Sequence, residues 1–401
     1  MSILILIFIL LAVIGLPIAF VLGGTSLFYF SFLSRVPMEM IGQKLYAGID
    51  NFVLLAIPFF ILAGEIMSAG SISKRIVTFV ASLVGHVRGG LGYVVIIAST
   101  IFAGLSGSAV ADAAALGAIL IPMMIQMGYD RATSVALVCA SAMIAPIIPP
   151  SVPLILFGVS GQTSIGRLFM AGIVPGLIIA LALMILWYIM AKRNNYPVGE
   201  RAKASEVLTA FKDSIFALFM PFIIVGGIRF GIFTPTEAAA VAVAYSILIG
   251  FFVYRNLSLK KLIEIGKRVA RDSASIFFLI GTAGIFGWIL AMAEIPAMLS
   301  AVILRHGTSP YLLLFLINIL LLIWGMLMDA APAILIFGPI LTPMVEAMGI
   351  NTIHFGVLMV FNLMIGLMTP PYGLCLFSAT TICKSSIGEI TKELISYVHQ
   401  Q

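Results

Sequence analysis

The sequence predicts an all-α polytopic membrane protein built on an internal duplication, and three observations predict it. First, 62% of the 401 residues are hydrophobic and 9% charged, where a soluble domain carries roughly 45–50% and about 25%. No single core hides that much apolar surface, so lipid is the solvent, and backbone in lipid must bond within its own segment. Second, displacing the chain by 221 positions lays Pro149-Pro150 on Pro370-Pro371. Third, both proline pairs interrupt long apolar runs, "IAPIIPPSVP" from Ile144 and "IGLMTPPYGL" from Ile365.

Taken in order, the apolar runs number roughly ten to twelve at about 20 residues per crossing. The first, "MSILILIFILLAVIGLPIAF", lacks the basic start of a cleavable signal and is expected to be one retained helix. Ten of the 22 Lys and Arg residues fall in 192–203 and 255–271. Two apolar segments, 213–228 and 235–254, lie between them, so both basic stretches share a side, which the positive-inside rule makes cytoplasmic. An amphipathic surface helix over 255–271 is the alternative for the second stretch. This placement speaks for a bilayer and against nucleic acid as the partner of the +6 net charge. The longest polar stretch, 192–212, is expected to be a loop. Cys139, Cys375 and Cys383 form no C-x-x-C pair and read as small core residues.

The duplication runs without a gap from Gly104 on Gly325 to Pro150 on Pro371, with 14 of 47 pairs identical. Pro122-Met123, Met127-Gly128 and Met143-Ile144 meet Pro343-Met344, Met348-Gly349 and Met364-Ile365. Each copy has a short apolar run (92–103; 311–324), then a polar or glycine tip, "GLSGS" (104–108) or "GMLMD" (325–329), then a second apolar run. Twelve residues are too few to span, so each copy is expected to hold a re-entrant helical hairpin. The helix that follows meets Pro-Pro half-way. Arg131 after the first copy's turn, against Thr352 in the second, fits copies facing opposite sides, as inverted repeats do.

A proline inside a helix gives no N–H to the carbonyl four residues earlier and pushes it aside. Pro149 and Pro150 therefore release the carbonyls of Ala145 and Pro146, and Pro370 and Pro371 those of Gly366 and Leu367. A freed carbonyl in lipid costs several kcal/mol unless satisfied, and a hard alkali cation satisfies it. The second half of each broken helix also offers a positive N-terminal end to an anion. A plain kink, satisfied by neighbouring helices or hydroxyls, is the alternative. Ser106 and Ser108 in the first tip, Asp329 in the second and Thr369 before the second Pro-Pro supply further oxygens. A carboxylate amid apolar sequence is costly, which marks Asp329 as functional, although it also suits an N-cap.

Thr234, Pro235 and Glu237 form a capping box with proline at the first helical position. Asp112 reads as a helix-start acid, and Glu65 as facing the protein interior. "GLSG" (104–107) and "GVSG" (158–161) match a serine-protease pattern, but that chemistry needs an aligned base. His354, near a turn, is the candidate, since His306 lies in a loop. No H-E-x-x-H, Cys/His cluster, Walker loop or dinucleotide fingerprint occurs, so neither an enzyme nor an ATP-driven pump is indicated. Duplicated broken helices point to a secondary transporter. A channel or facilitator for small anions is the rival.

"IPFFILAGEIM" (57–67), "GLSGSAVADAAALGAILIPMM" (104–124), "IIPPSVPLILFG" (147–158), "GIFTPTEAAAVAVAY" (231–245), "DAAPAILIFGPILTP" (329–343) and "MTPPYGLCLF" (368–377) resemble the large membrane (M) subunit of tripartite ATP-independent periplasmic (TRAP) transporters. The resemblance covers nearly the whole chain. It implies a bacterial or archaeal inner-membrane protein that takes up an organic acid, such as a C4-dicarboxylate or sialic acid, with Na⁺ and no other cofactor. It implies an elevator: scaffold at 1–50 and 166–272, transport repeats at 51–165 and 273–401. It also implies a small membrane (Q) subunit, separate here because the chain starts at the large-subunit pattern, and a periplasmic substrate-binding (P) protein. One cation site resembles Ser106 and Ser108 with backbone oxygens near Ala145, Ile148 and Pro150. The other resembles Gly325 with Gly366, Met368 and Thr369. Substrate is expected near Ser108, Ser151, Asp329 and Tyr372. Ala145 stands where the repeat has Gly366, a departure of little weight if only the carbonyl binds.

Overall fold

The computed structural model describes residues 2–34, 36–69, 72–305, 309–369, 373 and 375. The described residues form seventeen α-helices with short π and 3₁₀ turns, and the extended pairing among them is one isolated bridge, Arg88 with Val198. Among the described residues eight helices are long and apolar enough to cross a membrane, and five shorter apolar ones accompany them. The protein is a multi-pass membrane protein.

The expected single first helix is two. α1 (Ser2–Val13) and α2 (Ile18–Phe28) are separated where Gly15 takes φ +85° and Pro17 ends the turn, because proline disfavours helical backbone before it. After α3 (Glu39–Ile49), α4 (Ala56–Ala69) and α5 (Ile72–Val84), the chain enters the first hairpin, α6 (Gly90–Ser106) and α7 (Ala109–Gln126). Then come α8 (Arg131–Ala142), a nine-residue break, and α9 (Val152–Ser160). The second hairpin is α15 (Pro310–Leu327) and α16 (Ala330–Ala347), followed by α17 (Thr352–Met368). The hairpin arms thus hold 17 or 18 residues rather than twelve. At 1.5 Å per residue each is about 26 Å long.

The 221-residue offset is written into these boundaries. α7 and α16 are the same span displaced by 221, α6 and α15 end together, and α8 and α17 begin together. Gly128 and Gly349, which close the equivalent turns, take φ +86° and +73°. The correspondence extends upstream of the alignable sequence. α5 ends at the offset of α14 (Ile295–Arg305), and α4 corresponds to the C-terminal part of α13 (Leu259–Met292). Over 56–84 against 277–305 a single pair, Leu83 and Leu304, is identical.

The helices between the repeats are α10 (Ile165–Arg193), α11 (Ala204–Arg229) and α12 (Pro235–Leu248). α11 takes in the second half of the expected 192–212 loop. α13 joins the basic 255–271 stretch to the apolar segment after it as one 34-residue helix, about 50 Å long. The expected boundary at 272/273 therefore falls inside a helix. The boundary at 165/166 is no gap in packing either. A Cβ on Gly172 of α10 would strike the Ile147 carbonyl, and one on Gly176 would sit 2.5 Å from Ile148. Trp187 fills the space over Gly92 and donates Nε1–H to the Gly89 carbonyl at 2.8 Å. α10 thus interlocks with both the first break and the base of the first hairpin.

Candidate functional site

The first tip is built by capping. Ser108 is the N-cap of α7, its Oγ accepting the Ala111 N–H at 3.4 Å. Gly107 turns the chain at φ +63°, and a side chain there would strike the Pro150 carbonyl. The tip therefore lies directly on the first break. Behind it Ser106 donates its hydroxyl to Asp112 Oδ1 and accepts the Ser108 N–H at 3.3 Å. Asp112 is wholly buried, and its Oδ2 has no partner among the described residues.

The first break differs from its expected form. α8 stops at Ala142, seven residues before Pro149; Pro146 has no N–H to give the Ala142 carbonyl and disfavours helical backbone at Ala145. The second repeat has Leu367 in that place, and α17 continues to Met368. The carbonyls expected to be free are partly taken. Ser151 donates its hydroxyl to the Pro146 carbonyl while its Oγ accepts the Leu154 N–H at 3.1 Å as N-cap of α9. The Gly366 carbonyl accepts the Thr369 N–H at 2.9 Å, and Thr369 Oγ1 donates to the Ile365 carbonyl at 2.7 Å. A carbonyl oxygen has two lone pairs, so each keeps one for a further ligand. No described donor meets the Ala145 carbonyl.

In the second tip Asp329 stands at the N-cap position of α16, the counterpart of Ser108 at the first. Gly325 packs on α17 with no room for side chains: a Cβ on Gly366 would lie 2.5 Å from the Gly325 Cα, and one on Gly325 2.9 Å from the Leu363 carbonyl. One turn earlier Asn362 donates Nδ2–H to Asn318 Oδ1 at 2.6 Å, tying α17 to α15. The close glycine contact carries a prediction. Gly366→Ala pushes backbone against backbone and should cost about 1–3 kcal/mol, read as a lower thermal midpoint of the purified protein, while Leu363→Ile nearby should cost less.

The two tips enclose one cavity of about 280 Å³. Its lining includes Ser106 and Ser108 from the first tip, Asp329 from the second, Pro146 from the first break, and Met364 and Leu367 from α17. Asp329 is exposed to it. Ser151 and Thr369 stand just behind that lining, as helix caps. Tyr372, Pro370 and Pro371 lie outside the described residues, as do Cys383 and His306.

Sequence reasoning undervalued three acids. Asp112 anchors the first tip. Glu65 and Asp272, on α4 and α13, line the same cavity, and Glu65 pairs with Arg268 at 3.1 Å. The signal for Glu65 and Asp272 was their place in or beside apolar runs. Glu237 is a cap as expected, its carboxylate accepting the Thr234 N–H at 2.7 Å. His354 is exposed near the start of α17, ten residues or about 15 Å along the helix from Met364, so among the described residues Ser106 has the acid Asp112 beside it and His354 is not its base.

A bundle of membrane-length helices, with a duplicated hairpin and helix unit packed around a largely apolar cavity that carries serines and carboxylates, defines a polytopic membrane transport protein. The chain belongs to the family described as the tripartite ATP-independent periplasmic transporter, DctM component, which matches residues 5–401. It is 44% identical over 387 residues to the 2,3-diketo-L-gulonate TRAP transporter large permease protein YiaN of Escherichia coli, covering 96% of this chain and 91% of that one. It is 41% identical over 381 residues to the sialic acid TRAP transporter large permease protein SiaM of Vibrio cholerae, covering 95% and 89%. In fold it is similar to the Alcanivorax borkumensis YdaH transporter, with a TM-score of 0.67 over 98% of this chain and 94% of that one, at 14% identity.

Proposed function

We propose that this large permease subunit carries an organic acid into the cell by Na⁺-coupled secondary transport, with the cavity between the tips as the substrate site. The observation that carries the reading is the convergence on one cavity of both tips, the first break and α17. Ser108, Ser151 and Asp329 stand at helix N-termini there, and such termini favour anions. Three carboxylates, of Asp329, Glu65 and Asp272, line the same space. Arg268 neutralises only the Glu65 carboxylate among them, so an organic anion needs cations beside it to enter.

The oxygen-only donor set suits Na⁺. Ser106 and Ser108 with the backbone at Ala145, Ile148 and Pro150 would hold one ion. Gly325 with Gly366, Met368 and Thr369 would hold another. Na⁺ would order the two tips, and a substrate carboxylate would then bind at Ser108, Ser151, Asp329 and Tyr372. Neutralising the site lowers the barrier to moving the hairpins, with α10 locked onto the first of them, past the rest of the scaffold, in the manner of an elevator with inverted, re-entrant hairpins. The relatives named for 2,3-diketo-L-gulonate and sialic acid support an organic acid, C4-dicarboxylates included. A small membrane subunit and a periplasmic binding protein complete the system in the inner membrane.

Uptake into proteoliposomes holding this chain and its small subunit tests the reading. Replacing Na⁺ by K⁺, or omitting the binding protein, should each lower uptake by roughly tenfold or more, since losing about 1.4 kcal/mol of coupling is a factor of ten. Uptake that survives both changes identifies a facilitator instead.

A further inference from the structure

A cleft of about 720 Å³ opens between α5 and the start of α11, away from the cavity between the tips. Phe79 and Leu83 of α5 and Leu208 and Phe211 of α11 form its walls, and His86 and Arg201 its rim. The Phe79 and Phe211 rings lie 5.5 Å apart. Leu83 and Leu208 are 45% and 55% exposed, so the walls are largely uncovered.

The rim is held in place. Arg88 Nη1 donates to Asn195 Oδ1 at 2.6 Å, the Gly89 N–H donates to the Pro197 carbonyl at 3.1 Å, and Arg88 bridges Val198. The loop bearing Arg201 is therefore tied to the turn after α5. Its charge is positive: Lys192, Arg193, Arg201 and Lys203 outnumber Glu200 over 192–203. Glu206, nearby, accepts the Lys203 N–H at 3.0 Å. The exposed Tyr188 and the basic last turn of α10 mark the level of the membrane–water interface.

A ligand for this cleft needs an anionic group at the rim and hydrocarbon along the walls. A small water-soluble anion leaves the walls bare, and a zwitterionic lipid offers Arg201 no net charge. We propose that the cleft binds an acidic phospholipid, its phosphate at Arg201 and His86 and an acyl chain along Phe79, Leu83, Leu208 and Phe211. The volume falls within the roughly 300–1,000 Å³ of small-ligand pockets, and basic pockets between membrane helices are the common seat of acidic headgroups. α5 leads directly into the first hairpin at Gly90, so an occupied cleft steadies the base of that hairpin. The inference stands whether or not transport is Na⁺-coupled.

The thermal midpoint of the purified chain in neutral detergent tests it, with phosphatidylglycerol, phosphatidylcholine of the same acyl chains, or inorganic phosphate added. Phosphatidylglycerol should raise the midpoint saturably, and the other two should not. Arg201→Gln and Leu208→Gln, both at exposed positions that leave the core intact, should each need roughly fivefold more phosphatidylglycerol for the same rise. An equal response in wild type and both variants, or to phosphatidylcholine, overturns the site as a bulk lipid effect. A rise with phosphate alone replaces it with a free-anion site, and a loss in Arg201→Gln only removes the acyl part of the assignment.

Discussion

Asp329→Ala is expected to lower substrate uptake by roughly 10- to 100-fold while the protein folds normally. The carboxylate lies at the start of α16 and opens into the cavity, so its removal leaves no packing void. What is lost is the charge that the proposed cation beside the second tip would meet. Hydrogen bonds to charged groups contribute about 1.5–3 kcal/mol, which sets the size of the effect. Asp329→Asn keeps the shape and an oxygen at the helix start but not the charge, and should resemble Ala in uptake if charge is what matters. Proteoliposome uptake alongside the elution profile in detergent checks both variants. Wild-type uptake by Asp329→Ala removes the residue from the site.

Ser106→Ala is expected to cost about 1–3 kcal/mol of stability, because it takes from a buried carboxyl group its hydrogen-bond partner. Asp112 is wholly buried and Ser106 is its described side-chain partner. Losing that hydroxyl also frees the Ser108 N–H from its acceptor, so the first tip loses its shape together with its anchor. The double variant Ser106→Ala/Asp112→Ala should be less damaged than the sum of its parts, since removing both groups leaves no unpaired buried polar group. Thermal midpoints and uptake of the two single variants and the double variant measure the coupling. Strict additivity would mean that the two residues act apart.

Much of the fold was legible because lipid leaves a chain few choices. The composition alone demanded helices, and the repeat over 104–150 placed both tips and both turns, down to Gly128 and Gly349. Capping was also local enough to read, as at Glu237 and, in position, at Asp329. The length of the hairpin arms was not. Apolar runs marked the greasy middle of each arm and missed the turns on either side that capping and packing keep helical. The break at Pro149 was legible as a break but misjudged in extent, because Pro146 acts on residues before it.

The site was legible as a set of residue types, not as a set of partners. Ser106, Ser108 and Asp329 could be picked from their tips because polar groups in apolar sequence are expensive, whereas Gly325 entered through the family resemblance. That Ser106 serves Asp112, that Ser151 turns to the Pro146 carbonyl, or that Glu65 meets Arg268 depends on neighbours up to 203 residues away in sequence.

By itself, then, the sequence determined that the protein is helical, membrane-spanning and duplicated, with a proline pair at the same place in each copy, since composition, period and proline act along the chain. Only the tertiary structure decided that α4 and α5 repeat in α13 and α14, that α10 locks onto the first hairpin, and that both tips share one cavity. The physical reason is that helix packing in lipid is governed by shape. Many apolar sequences satisfy the same surface, so kinship between packed helices survives in their arrangement after it has vanished from their residues.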